Sequence, residues 1–212
     1  LTLQIFNIYF MSKFSLNAIS PIDGRYSSKT AELNDFFSEK ALIKYRLIVE
    51  IEYFISLCEF EIPQLKKFKV KKFKNLREIY LNFSDKDALE VKEIEKTTNH
   101  DVKAIEYFLK KRFKNLKLNE FVEFIHFGLT SQDINNTAIP LSLKEMYEQV
   151  YIIELDKILE VLNDISIKWQ NISMLARTHG QPASPTKLGK EMKVVKTRIE
   201  EQKNLLSQIP IA

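Results

Sequence analysis

The stretch Ile152-Ile-Glu-Leu-Asp-Lys-Ile-Leu-Glu-Val-Leu-Asn-Asp-Ile-Ser-Ile-Lys-Trp169 decides the fold class. Ile152, Leu155, Leu159, Leu162, Ser166 and Trp169 fall at alternating spacings of three and four. That spacing puts them on one face of a helix, whereas a strand would need every second residue. The last segment repeats the pattern in Leu188, Met192, Val195, Ile199, Gln202, Leu206 and Ile209. Such seams belong to helical bundles and coiled coils. Two helices of this kind cannot cover both seams with each other alone, so further helices, from a bundle or another subunit, are expected to pack on them.

Working outward, Ser131 to about Asn171 reads as one long helical segment that Pro140 kinks or splits. Pro185, after Ser184, is placed to open the last helix. Upstream, Leu42, Tyr45, Val49 and Tyr53 mark the buried face of a core helix from Ser38 to about Cys58. A Lys-rich connection leads to a helical stretch near Leu76, and Ser84 with Asp87 resembles a capping box opening another helix. Asn99 is placed to cap the helix that follows, whose stripe is Val102, Ile105, Leu109 and Phe113. His100 and Asp101 then project from its first turn. The polar break from Lys114 to Asn119 sets the expected division into an N-terminal helical domain, 11–118, and the first long helices of a central bundle, 119–212.

Composition agrees with an all-α fold. Only 4 glycines and 6 prolines punctuate 212 residues, too few for the frequent turns of an all-β chain. The net charge of +4 comes from lysines interspersed with acids, which describes solvated helix faces and argues against a nucleic-acid partner. A lone cysteine, Cys58, excludes an intrachain disulfide and fits a reducing, cytoplasmic setting. No apolar run past the start has the length of a membrane span. Residues 1–10 are apolar but lack a basic start and a cleavage site, so they are expected to be a non-native leader ahead of Met11. The end at Ala212, without a closing helix signal, is read as a truncation.

In so glycine-poor a chain, Gly24, Gly128 and Gly180 each lie in or beside a polar cluster between helices. Shaped ligand loops and routine turns are both open readings of the glycines alone. The clusters are Asp23-Gly24-Arg25-Tyr26, Thr97-Thr98-Asn99-His100-Asp101, Thr130-Ser131-Gln132-Asp133 and Arg177-Thr178-His179-Gly180-Gln181-Pro182. Arg25 and Arg177 offer a planar fork of donors suited to phosphate or carboxylate. His179 is the best acid or base candidate, because imidazole titrates near neutrality. For His100 the start of a helix favours a bound anion over an imidazolium, while Asp101 pulls the other way. Thr130 and Ser131 either bind an anion with the free N–H groups of a helix start or simply cap that helix. His126 reads first as a packing residue on a helix face, with ligand contact as the alternative. The histidines are far apart and show no helical ligand spacing, so no metal site is expected, and no nucleotide-type glycine loop or other cofactor motif is present.

Taken in order, these clusters resemble the motifs of the bacterial adenylosuccinate lyase family, within the aspartase and fumarase superfamily. Ser20 to Tyr26 is similar to the first motif, Thr97 to Asp101 with the residues to Leu109 to the second, Glu123 to Asn136 to the third, and Arg177 to Pro182 to the fourth. The resemblance implies that Arg25 and Tyr26 contact the phosphate end of a nucleotide substrate. By the same resemblance Asn99, His100 and Asp101 line its pocket, and Thr130 and Ser131 hold the succinyl carboxylates. His179 would be the general acid that protonates the departing nitrogen as fumarate leaves adenylosuccinate, or the related succinylated aminoimidazole carboxamide ribonucleotide of purine synthesis. The family's base is a serine on a glycine- and methionine-containing loop that nothing here matches, so the chain alone is expected to be inactive. A homotetramer with sites shared between subunits is implied too. Two rival readings stand beside this one: another superfamily lyase such as argininosuccinate lyase, and a non-catalytic helical assembly module.

Overall fold

The structure, a computed structural model, describes residues 18–60 and 62–210; the expected leader, 1–10, lies outside them. Seven α-helices of nine residues or more make up most of the described residues. They are α1 (Glu39–Glu59), α2 (Phe73–Leu81), α3 (Asp85–Thr98), α4 (Asp101–Asn115), α5 (Ser131–Met146), α6 (Ile152–Lys168) and α7 (Leu188–Ser207). A turn of π-helix, Tyr147–Tyr151, joins α5 to α6. Between α6 and α7 runs a two-stranded antiparallel hairpin, β1 (Ser173–Thr178) and β2 (Gln181–Lys187). The fold is helical as expected, with this hairpin as the addition.

The chain forms two compact units that divide between Leu143 and Lys144. The expected break at 118/119 falls inside the first, because Leu118, Phe121, Val122 and Ile125 join the core that α1 and α4 build. In that unit α1 is enclosed on most sides. Its buried residues include Ile43, Tyr45, Leu47, Ile51, Phe54 and Ile55, so of the expected stripe Tyr45 is covered while Leu42, Val49 and Tyr53 are half-buried. Phe54 sits at the centre, edge-on to Phe68 at 5.2 Å and to Phe113 at 5.0 Å between ring centroids. Such aromatic pairs add to the transfer free energy of the buried rings.

The helix ends follow local chemistry. Ser38 caps α1 by accepting from the Ala41 N–H, and Ser84 and Asp87 form the reciprocal box that opens α3. Asn99, however, closes α3 in a left-handed conformation with φ of 48°, which an asparagine tolerates. The cap of α4 is His100, whose Nδ1 accepts from the Lys103 N–H. Pro140 remains inside α5.

In the second unit α6 and α7 run antiparallel, since Lys203 pairs with Asp156 at one end while Gly189 packs on Ser166 at the other. Leu159 and Ser166 are the covered residues of the α6 seam, and Ile152, Leu155, Leu162 and Trp169 are half-covered on the same face. The α7 seam stays more open, with Val195 and Ile209 exposed. The hairpin takes the place of the expected loop. Pro185 pairs with Leu175 in the ladder and does not open α7, which begins at Leu188. Both prolines of β2 are tolerated because each strand of a two-stranded sheet is an edge.

The start of α7 docks on the end of α6. The Leu188 and Gly189 N–H groups donate to the carbonyls of Ile172 and Trp169, satisfying donors that a helix start leaves open. A Cβ at Gly189 would stand 2.2 Å from the Ser166 carbonyl oxygen and 2.6 Å from the Gln170 nitrogen, both backbone atoms that cannot swing away. Gly189→Ala should therefore lose about 1–3 kcal/mol to overpacking, against a helix-propensity gain of about 1 kcal/mol at most. Chemical denaturation is expected to give a net loss, with the exposed Lys190→Ala near neutral; an equal or higher midpoint for Gly189→Ala would show that α6 and α7 can separate freely here.

Candidate active site

The second and third polar clusters meet in the first unit. As the cap of α4, His100 uses its Nδ1 lone pair on the Lys103 N–H at 3.1 Å, so the neutral ring carries its hydrogen on Nε2. That nitrogen faces the Ser131 hydroxyl at 3.4 Å, a long contact that joins the start of α4 to the start of α5. Half of the His100 side chain is exposed, so a ligand can reach the pair.

Asp101 is held from two sides. One oxygen accepts from its neighbour's N–H on Val102 at 2.8 Å, and the other meets Arg46 Nη2 at 2.8 Å. Burial pushes its carboxyl up, but the Val102 N–H and the Arg46 guanidinium outweigh this and hold it below the usual carboxylate value. Thr130 donates both its N–H and its hydroxyl to Asp133, at 2.7 Å each, which keeps the Asp133 carboxyl low as well. Thr130 thus spends its donors inside the turn, while Ser131 turns toward His100. Asn99, in its left-handed turn, precedes His100 directly.

Arg25 and Tyr26 lie in the turns ahead of α1, with the guanidinium stacked over the phenol ring at 4.7 Å. Among the described residues neither side chain bonds to the His100 and Ser131 pair. His179 belongs to the second unit. It occupies the tip of the hairpin with φ of 50°, followed by Gly180 at 78°, the two positive values of a tight two-residue turn. Thr178 and Gln181 pair across that turn, Arg177 Nη1 reaches the Gly180 carbonyl at 3.5 Å, and the imidazole is exposed. No group of three or more potential metal ligands clusters among the described residues.

Sequence reasoning missed the residues that hold the first-unit cluster together. Arg46, Glu50 and Tyr53 lie at helical spacing along α1, a polar stripe in an otherwise apolar core element. Arg46 is nearly buried and ties Asp101 to α5 by donating from Nε to Asn135 at 2.9 Å. Tyr53 donates its hydroxyl to the Phe127 carbonyl at 2.9 Å, beside Gly128, whose φ of 72° lets the chain turn toward Thr130. Glu50 lies against His126 Nδ1 at 2.5 Å, and His126 sits in a turn with φ of 60° instead of on a helix face. The signal was available: an arginine in a chain that prefers lysine, followed four residues later by a glutamate within an apolar run.

Replacing Arg46 tests this frame. Arg46→Lys keeps the charge but cannot span Asp101 and Asn135 with two arms. A loss of about 1–3 kcal/mol is expected in urea denaturation, with exchange broadening of the amides of 99–101 and 131–135 in NMR spectra. Wild-type stability together with unchanged amide spectra would remove Arg46 from the frame.

The chain matches the sequence profile of a family described as Lyase over residues 24–210, a span that contains Arg25, His100, Ser131 and His179. It is 56% identical to an adenylosuccinate lyase of Dictyostelium discoideum over 92% of this chain and 43% of that protein. Against the adenylosuccinate lyase of Escherichia coli K12 the identity is 41%, over 95% of this chain and 44% of that one. The chain therefore spans less than half the length of these curated relatives. Among solved structures, a fumarate lyase from Mesorhizobium sp. BNC1 superposes with a TM-score of 0.66 at 16% identity, covering 85% of this chain and 39% of that one. A 3-carboxy-cis,cis-muconate lactonizing enzyme from Pseudomonas putida gives 0.64 at 19% identity, over 84% of this chain and 39% of that one, a likeness of fold alone. No helix among the described residues is long and apolar enough to cross a membrane. With the match running from Gly24 to Pro210, the chain belongs to this lyase family.

Proposed function

We propose that the chain supplies the N-terminal part of an adenylosuccinate lyase, which eliminates fumarate from adenylosuccinate to give AMP. The observation that carries the reading is the 41–56% identity to adenylosuccinate lyases across more than nine-tenths of the chain. The same activity on the succinylated aminoimidazole carboxamide ribonucleotide, a cytoplasmic setting and a homotetramer with shared sites belong to this reading.

The chemistry divides among groups already described. Expelling a nitrogen needs an acid at that atom, and His179 on its exposed turn is the proposed donor. Developing carboxylate charge needs N–H and O–H partners that are in place before reaction. Ser131 and the open N–H groups at the start of α5 are proposed to hold the succinyl carboxylates, with Thr130 joining them by giving up its bonds to Asp133. Asn99, His100 and Asp101 line the pocket, with Asp101 kept charged by Arg46, and Arg25 and Tyr26 take the phosphate. The base that removes the carbon proton is not among these residues. Supplying it from another part of the protein is worth many tenfold steps, each about 1.4 kcal/mol of barrier.

The test is a chimaera in which this chain replaces the matching N-terminal part of the Dictyostelium relative. It is expected to release AMP and fumarate from adenylosuccinate. His179→Ala in that chimaera should lower kcat by roughly a hundredfold or more with KM largely kept, and Arg25→Ala should act mainly on KM. A folded chimaera that cleaves only argininosuccinate, or one indifferent to His179→Ala, would overturn the substrate or the acid respectively.

A further inference from the structure

Glu50 is a carboxyl group without solvent. Its side chain is 0% exposed, one oxygen lies 2.5 Å from His126 Nδ1, and Oε2 is buried with no hydrogen-bond partner. The groups facing the pair are acidic. Glu106 on α4 acts on Glu50 from nearby, itself bridged by Lys103 at 2.7 Å and Lys110 at 3.1 Å, and Asp133 of α5 lies within electrostatic reach of His126. Burial first, and then the Glu106 charge, push the Glu50 carboxyl up; the His126 contact pulls the other way.

The pair has three arrangements. With Glu50 ionised and His126 neutral, Nδ1–H donates to Oε1, Nε2 keeps a bare lone pair, and one net negative charge with a vacant oxygen is left in a dry interior. An uncompensated buried charge of that kind costs several kcal/mol. One further proton removes the net charge in either of two ways. Either His126 is an imidazolium against a carboxylate, or a protonated Glu50 donates to Nδ1 of a neutral ring. In both neutral arrangements Nε2 bears a hydrogen.

We propose that Glu50 is a positioning residue whose solvent-free carboxyl keeps Nε2 of His126 protonated, making this ring a fixed N–H donor at the mouth of the turn that leads into Thr130 and Ser131. The His126 side chain is 17% exposed, so the pair reaches the surface through the ring alone. Use of that donor on an anionic substrate oxygen rests on the lyase reading; the protonation itself does not.

The experiment is nitrogen-15 NMR of the 212-residue chain labelled in histidine, whose three imidazoles are assigned by single substitution. At neutral pH His126 is expected to show a protonated Nε2 and a bridging proton far downfield from its Nδ1 contact with Glu50. His100 serves as the internal reference for a neutral ring with hydrogen on Nε2 alone. Glu50→Gln should abolish the downfield proton and return His126 to a neutral ring of mixed tautomers, with helix content by circular dichroism as the folding control. A bare Nε2 in the wild-type chain overturns the proposal, even if Glu50→Gln fails to fold, and so does an unchanged ring in a folded Glu50→Gln. Neither result depends on substrate, so a failed elimination assay and a failed Glu50 role are separable.

Discussion

A guanidinium held inside the core is the constraint on which the first unit's site depends. Arg46 leaves the most enclosed helix and meets Asp101 and Asn135, which belong to two later helices. An arginine this covered is costly unless its donors are matched, so the two partner segments are fixed by the requirement that it stay paired. The energetic argument therefore runs from core to site. Hydrophobic burial fixes α1, α1 fixes the guanidinium, and the guanidinium sets the starts of α4 and α5 so that His100 and Ser131 face each other.

The same helix shows how polar chemistry is placed without loosening a core. Arg46, Glu50 and Tyr53 share one side, while Leu47, Ile51, Phe54 and Ile55 fill the rest of the surface with apolar contact. Arg46 reaches Asp101 and Asn135, while Glu50 and Tyr53 both hold the turn ahead of α5, through His126 and the Phe127 carbonyl. The likeness to a solved fumarate lyase and a solved muconate lactonizing enzyme, at 16–19% identity, is one of helix arrangement alone.

Much of the fold was legible because helices announce themselves by period. The seam from Ile152 to Trp169, the stripe Val102 to Phe113 and the box at Ser84 all appear where spacing put them. Elements that rest on tertiary context were not. On α1, nearly enclosed, apolar residues lie almost all round and a stripe cannot be phased from them, so the expected stripe took in Tyr45 but not Ile43, Leu47, Ile51, Phe54 and Ile55. Asn99 and His100 are both competent caps, and only the left-handed φ of Asn99 decides between them. The hairpin was hidden by Pro182 and Pro185, which argue against a strand unless it is known to be an edge. At the site, the polar clusters were visible as clusters, and Arg46 and Glu50 stood out within an apolar run, yet their partners were not legible, because a charged residue inside an apolar helix carries no sequence mark of the group that neutralises it.

The turn that carries His179 has a consequence for the entropy of fixing its side chain in one orientation. Two residues with positive φ, closed on either side by Thr178 and Gln181, leave the backbone there almost nothing to give up. What remains to be frozen is rotation about two side-chain bonds, of the order of 1 kcal/mol or less. A long flexible loop bearing the same imidazole would lose about 1–2 kcal/mol for each backbone residue ordered, so a short rigid tip presents the ring at far smaller thermodynamic expense.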